Sequence, residues 1–150
     1  MDRVDRKILA ELQRDGRQTI TELAARVGLS LSPCHRRLRE LEGTGAIRGY
    51  RAVIDPAAVD LGFMVLVSVT MRQEDRQTLL AFEAAVGDIS AVVEAQRLLG
   101  DPDYLLRVAT KDIASYQHLE DDQLALLPGV QRLTSTIVMK QVVETRPLPT

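Results

Sequence analysis

Residues 21–43 constrain this chain more than any other stretch, because they hold two short helices joined by a turn that only a few folds accommodate. TELAARVG (21–28) places Leu23, Ala24 and Val27 on one helical face; Thr21 can cap its start, and Gly28 can stop it by taking a positive φ. The segment LSPCHRRLRELEG (31–43) follows after Leu29 and Ser30. Pro33 fits only the first turn of a helix, where a missing N–H has no intrahelical partner, so this helix must start at Ser30 or Ser32 and run to about Gly43. Leu31, Cys34, Leu38 and Leu41 make an inward stripe, which leaves Ser32, His35, Arg36, Arg37 and Arg39 on the remaining face.

A tight bihelical reader needs a small residue where its helices cross, a turn glycine and an apolar row on the second helix. Ala24, Gly28 and the leucine stripe supply these. Arginines on the outer face can donate paired hydrogen bonds to guanine O6 and N7 or bind phosphates, and Ser32 at the helix start suits phosphate. The expected contacts with double-stranded DNA are Arg36 and Arg37, flanked by Ser32, Pro33, His35 and Arg39. A net charge of −2 conceals the asymmetry such a reader needs: residues 1–50 carry 10 Lys/Arg against 7 Asp/Glu, and residues 51–150 carry 9 against 14. The basic part is local, and phosphate attraction acts over roughly 8 Å at physiological salt.

Ahead of the pair, Val4, Ile8, Leu9 and Leu12 recur at helical spacing between Asp2 and Gly16. Beyond it, Gly43-Thr44-Gly45 ends the helix, and IRGYRAVIDP (47–56) reads as an extended hinge. FMVLVSVTMR (63–72) alternates with Phe63, Val65, Val67, Val69 and Met71 on one face, the period of a half-buried strand. A helix over 75–86, strands over 91–99 and 103–110 joined at Gly100-Asp101-Pro102-Asp103, a helix from Ile113 to Leu127 and a strand over 130–143 complete a β-α-β-β-α-β order. The fold class is therefore α+β: a helix-turn-helix, winged-helix-like head (1–50), a hinge (51–62) and a ferredoxin-like βαββαβ domain (63–150). Two helices cover one sheet face. Leu66, Ala95, Leu105 and Val138 are apolar candidates for the other, which implies burial between subunits. The tail TRPLPT (145–150) reads as a loose end.

Other classes recede. A lone cysteine, Cys34, on the inward stripe rules out an internal disulfide, and two histidines give no zinc spacing, so neither metal nor catalytic residues are expected. No apolar run approaches the ~20 residues of a membrane span, and the first residues lack a secretory pattern; cytoplasm is the expected compartment. Aromatics at 3% disfavour single-strand recognition by stacking.

These residues together resemble the Lrp/AsnC, or feast/famine, family of transcriptional regulators. The likeness is carried by Asp5 with Ile8-Leu9, Val27-Gly28-Leu29-Ser30, Ser32-Pro33-Cys34, Arg36-Arg37-Leu38, Leu41-Glu42, Ile47 and Gly49-Tyr50 in the first third. Further on it rests on Gly100-Asp101, Asp103-Tyr104-Leu105-Leu106 and Leu127-Pro128-Gly129-Val130. The resemblance implies a sensor and oligomerisation domain that pairs through its sheet into homodimers, which assemble to octamers. It also implies a small-molecule effector, usually an amino acid, bound between dimers at Gly100, Asp101, Asp103 and Tyr104, with Thr134, Ser135 and Thr136 beside it; no cofactor is implied. Two rivals share the architecture: a siroheme-decarboxylase-like enzyme, and an assembly module that binds DNA only nonspecifically.

Overall fold

The computed structural model describes every residue except Thr145. It divides into two compact units, Met1–Val53 with Val142–Thr150, and Ile54–Gln141.

Three helices make the first unit: α1 (Arg3–Arg14), α2 (Ile20–Val27) and α3 (Leu31–Gly43). Asp2 caps α1 by accepting from the Val4 and Asp5 N–H groups, while the Asp5 carboxylate accepts from Asp2 N–H, a reciprocal capping box. The cap of α2 is Thr19 rather than the expected Thr21. Thr19-x-x-Glu22 forms a second capping box, with Thr19 N–H donating to Glu22 at 2.7 Å. A box satisfies two orphan amides at once, which Thr21 alone cannot do. Gly28 ends α2 in the left-handed region at φ 77, and Leu29 N–H closes the turn on Ala24 O at 2.9 Å.

Ile8, Leu23, Ala24, Val27, Cys34 and Leu41 are buried together, with Val4, Leu9, Leu12 and Leu38 against them. Leu31 departs from the expected stripe and is exposed: it opens α3, one turn short of the crossing. No wing strand forms over 47–55 among the described residues; the Tyr50 hydroxyl donates to Glu42 at 3.1 Å and its ring lies against Gly16. The tail is tied down rather than loose. The Gln13 side chain donates to Leu148 O at 3.1 Å and accepts from Leu148 N–H at 2.6 Å, a paired amide contact; Thr145, where that tail was read to begin, lies outside the described residues.

The second unit follows a short 3-10 turn at Pro56–Val59 and runs β1 (Phe63–Met71), α4 (Arg76–Gly87), β2 (Val92–Arg97), β3 (Tyr104–Thr110), α5 (Ile113–Asp122) and β4 (Val130–Ile137). The sheet order is β2-β3-β1-β4 with antiparallel pairing throughout, the βαββαβ arrangement. Val65, Val67, Val69 and Met71 pack under Leu79, Phe82, Val86, Tyr116 and Leu119 of the two helices. Helix α5 stops at Asp122, and Leu124–Leu126 continue as a 3-10 turn, so the expected helix to Leu127 is two elements.

On the opposite face lie Met64, Leu66, Ser68, Leu105, Arg107, Thr134 and Thr136, as pairing of Leu66 with Arg107 and Thr136, and of Ser68 with Leu105 and Thr134, dictates. Val138, whose N–H donates to Met64 O, extends this edge. Ala95 does not belong there. It pairs with Leu106 and shares the helix-covered side, because the register shifts between Val92 and Glu94.

Candidate nucleic-acid interface and ligand turn

On α3 two rows interleave, each at i, i+3, i+4, i+7. Cys34, Arg37, Leu38 and Leu41 turn toward the head core, whereas Ser32, His35, Arg36 and Arg39 turn outward. All four outward residues are exposed; Pro33 is half-buried in the first turn. Arg36 and Arg39 thus stand one turn apart in the middle of the helix, on the row that an α3 entering a groove would turn toward base edges. Cys34 is fully buried, and burial pushes its thiol upward, as for a small packed residue.

Arg37 differs from its neighbours. Its Nη1 donates to Asp2 Oδ2 and to Asp5 Oδ1, both at 2.7 Å. Arg37, expected among the leading DNA contacts, meets a competing engagement here: both N–H bonds of that nitrogen are committed to carboxylates of α1. Asp5 is held below the ordinary carboxylate range first by the Asp2 N–H and then by Arg37; Asp2 is lowered likewise by Asp5 N–H and Arg37, and Arg37 is raised by both. A carboxylate depressed on folding contributes stability above its unfolded value near ~4 and loses it as pH falls through the folded value, so the tie stands intact at neutral pH. Glu11, further along α1, pairs with Arg14 at 3.0 Å and with Arg26 of α2 at 3.6 Å. Sequence reasoning missed these acidic partners, although the Asp2-x-x-Asp5 box was a visible signal.

In the second unit, Gly100 and Asp101 occupy the exposed β2–β3 turn, with Gly100 at φ 143. Asp103 and Tyr104 turn inward. Asp103 Oδ2 accepts from Met71 N–H at 2.6 Å and its N–H donates to Val69 O at 3.0 Å, which fastens the turn to β1. Tyr104 is 2% exposed, 4.5 Å from the Phe82 ring, and its hydroxyl donates to Glu83 at 2.8 Å; burial and then Glu83 push it up to about 12. The three residues expected from β4 divide. Thr134 and Thr136 face the open side, whereas Ser135 opposes Val67 on the helix side and donates to Glu120 at 3.0 Å while receiving the Tyr116 hydroxyl at 2.6 Å. Thr134 lies on the edge strand β4, across β1 from Leu105, with Ser68 between them. Tyr104 and Ser135, expected as ligand contacts, thus take part in packing and hydrogen bonding on the helix side of the sheet.

Surface cavities of about 340 Å³ and about 370 Å³ open elsewhere on this unit, beside His118 and Lys111 and beside Arg76 and Arg97 respectively. The turn residues Gly100, Asp101, Asp103 and Tyr104 line neither of them. Among the described residues no helix is long and apolar enough to cross a membrane.

Comparison with known proteins agrees with this geometry. Residues 1–48 match a winged helix-turn-helix DNA-binding model, and residues 64–148 match the Lrp/AsnC ligand-binding domain. The chain is 40% identical to the leucine-responsive regulatory protein of Salmonella typhimurium over 142 residues, covering 95% of this chain and 87% of that one. It is 39% identical, with the same coverage, to the leucine-responsive regulatory protein of Escherichia coli K12. Among solved structures, a transcriptional regulator from Neisseria meningitidis in complex with L-Met superposes with a TM-score of 0.93 at 38% identity, covering 99% of this chain and 96% of that one. An AsnC-family transcriptional regulator from Agrobacterium tumefaciens gives 0.93 at 39%, covering 99% and 97%. With a helix-turn-helix head whose third helix has a polar and basic outward row, and residues 64–148 matching the family's ligand-binding domain, this chain belongs to the Lrp/AsnC family of DNA-binding transcriptional regulators.

Proposed function

We propose that the head, residues 1–50, inserts α3 into the major groove of a defined site, with Arg36 and Arg39 reading or clamping, Ser32 and His35 flanking them, and Pro33 shaping the first turn. The outward row of exposed polar and basic side chains at i, i+3, i+4, i+7 carries this reading. Beyond the hinge (51–62), the domain over 63–150 pairs through its open face of Met64, Leu66, Leu105 and Val138 into a homodimer, which assembles further to an octamer. Dimers present two α3 helices, so the site is a pseudo-palindrome with half-sites near one helical turn apart.

The effector is an amino acid, the class bound by the Neisseria relative. Gly100 and Asp101 offer backbone N–H groups and a carboxylate for its two charged ends, Asp103 and Tyr104 brace the turn, and Thr134 and Thr136 contribute from a neighbouring copy. An exposed hairpin tip needs such a second wall to enclose a small ligand. The chain acts in the cytoplasm as a regulator rather than an enzyme.

Footprinting on genomic fragments, with and without a panel of L-amino acids, tests both halves; equal affinity for shuffled DNA would reject sequence reading. Arg36→Ala is expected to weaken the footprinted site by about 1–3 kcal/mol, roughly 5- to 150-fold, measured by gel shift. Asp101→Ala is expected to weaken the responding amino acid by about ten-fold or more in calorimetry, as for a lost charge-assisted bond, with DNA affinity in its absence unchanged.

A further inference from the structure

We infer that Arg37 is a positioning residue: a strut that bolts the reader helix to the capped end of α1 and sets its orientation for DNA, without itself touching DNA. The inference rests on the reading of α3 as the groove-entering helix.

Four observations carry it. Arg37 lies on the inward row with Cys34 and Leu41, both buried, about 100° round the helix from Arg36. Its side chain is 30% exposed, and one of its two partners, Asp5, only 15%. Each carboxylate oxygen of the pair has its own donor: Asp2 Oδ1 takes the Val4 and Asp5 amides, Asp5 Oδ2 takes the Asp2 amide, and the remaining two take Arg37. Finally, the acids sit at the positive end of the α1 dipole, so they are held charged whether or not arginine is present, and Arg37 meets a preformed anion pair. Nη1 thus spends both of its N–H groups on carboxylates, which DNA itself repels. Arg26 and Glu11 make a similar link from α2, but at 3.6 Å and with Arg26 47% exposed that surface pair contributes little.

Strut and DNA contact predict opposite signs for one substitution. Asp5→Asn keeps an oxygen for the Asp2 amide and turns an N–H toward Arg37, and Asp2→Asn keeps a good helix cap while removing its charge. If Arg37 contacts DNA, neutralising either acid frees it and lifts a repulsion, so DNA binding tightens. If Arg37 is a strut, both changes loosen α3, and binding weakens.

The experiment uses the full-length protein and the duplex recovered by footprinting, titrated over a range of salt below the melting temperature of each variant. Arg37→Ala and Asp5→Asn are each expected to weaken binding on the order of ten-fold, comparable to one lost base contact. Their double variant should be no weaker than Arg37→Ala alone, while Arg37→Ala with Arg36→Ala multiplies. The salt slope should keep its value in Arg37→Ala, since a lost phosphate contact lowers it by about one. Arg37→Lys, whose ammonium can serve both acids from one nitrogen as Nη1 does, should recover most of the affinity. Tighter binding by Asp5→Asn, a slope lowered by one, or unchanged affinity in Arg37→Ala would each overturn the inference. Should Arg37→Ala fail to fold, Asp5→Asn and Asp2→Asn carry the same comparison. Coupling between Arg37 and Asp5 in thermal melts without DNA separates failure of the strut from failure of the reader assignment, which would show instead as no sequence-selective binding by the unchanged protein.

Discussion

Gly129→Ala is expected to destabilise the sheet domain by about 2–5 kcal/mol. Gly129 stands between the 3-10 turn and β4 at φ +72, and its carbonyl accepts from Arg72 N–H at 2.8 Å, which pins the backbone in that conformation. A left-handed backbone costs an L-residue roughly 1–2 kcal/mol. The added Cβ would overlap Thr78 Cγ2 and lie 3.0 Å from Met71 Cε. Thr78 cannot rotate away cheaply, because its hydroxyl donates to Asp75 at 2.6 Å and its N–H to the same carboxylate at 3.0 Å, capping α4. Relief must come from backbone or Met71 shifts, for which overpacking of about 1–3 kcal/mol is usual. Thr78→Ser deletes the offending methyl and keeps the capping hydroxyl, so the double variant should regain the overpacking share and retain the left-handed penalty. Urea unfolding of the single and double variants measures both. A single-variant loss below about 1 kcal/mol, or no recovery in the double, would show that this turn relaxes freely.

Periodicity reached most of this architecture because long elements with one buried face write that face into their spacing. Strand β1 is the clearest instance: Phe63, Val65, Val67, Val69 and Met71 alternate, and Val65, Val67, Val69 and Met71 are buried as the alternation requires. The same logic applied to α3 would have sorted its arginines. Counting three from Cys34 and four back from Leu41 lands on Arg37, so its position was inward by period even though its charge invited an outward reading. What spacing does not contain is the partner. Asp2 and Asp5 are 35 and 32 residues away in sequence, and only the crossing of α1 over α3 makes them neighbours.

Register set the other boundary of what could be read. Val92 faces the helices opposite Val108, and strict alternation would send Ala95 to the open side. One extra residue between Val92 and Glu94 inverts the parity, which places Glu94 opposite Arg107 on the open face and Ala95 opposite Leu106 behind it. The candidate effector residues divided for a related reason. Tyr104 starts the buried alternation of Leu106 and Val108, and β4 sends Ser135 inward between outward Thr134 and Thr136, so a contiguous motif in sequence becomes residues on two faces. Gly100 and Asp101, which precede the strand, are exposed.

Ile8→Ala is expected to weaken DNA binding by about four-fold or more while leaving the sheet domain folded. Ile8 is fully buried where α1 meets both other helices, among Leu23, Ala24, Val27, Cys34 and Leu41. Truncating such a residue costs about 2–5 kcal/mol, the transfer term plus a cavity that the surrounding helices only partly close. A core of this size rarely supplies more than about 3–5 kcal/mol in total, so the substitution removes most or all of the head's margin. At zero margin half of the heads are unfolded. A site that needs two folded heads at once then loses affinity as the square of the folded fraction, beyond any change in contacts. The sheet domain has its own core around Phe82, Leu106 and Leu124 and should hold its unfolding midpoint and its assembly state. Circular dichroism should therefore show early loss of helical signal before a second transition, size exclusion an unchanged elution position, and gel shift a loss of about four-fold or more. Native affinity with a single cooperative transition would mean that the two units share one folding equilibrium and that the head draws its stability from outside its own core.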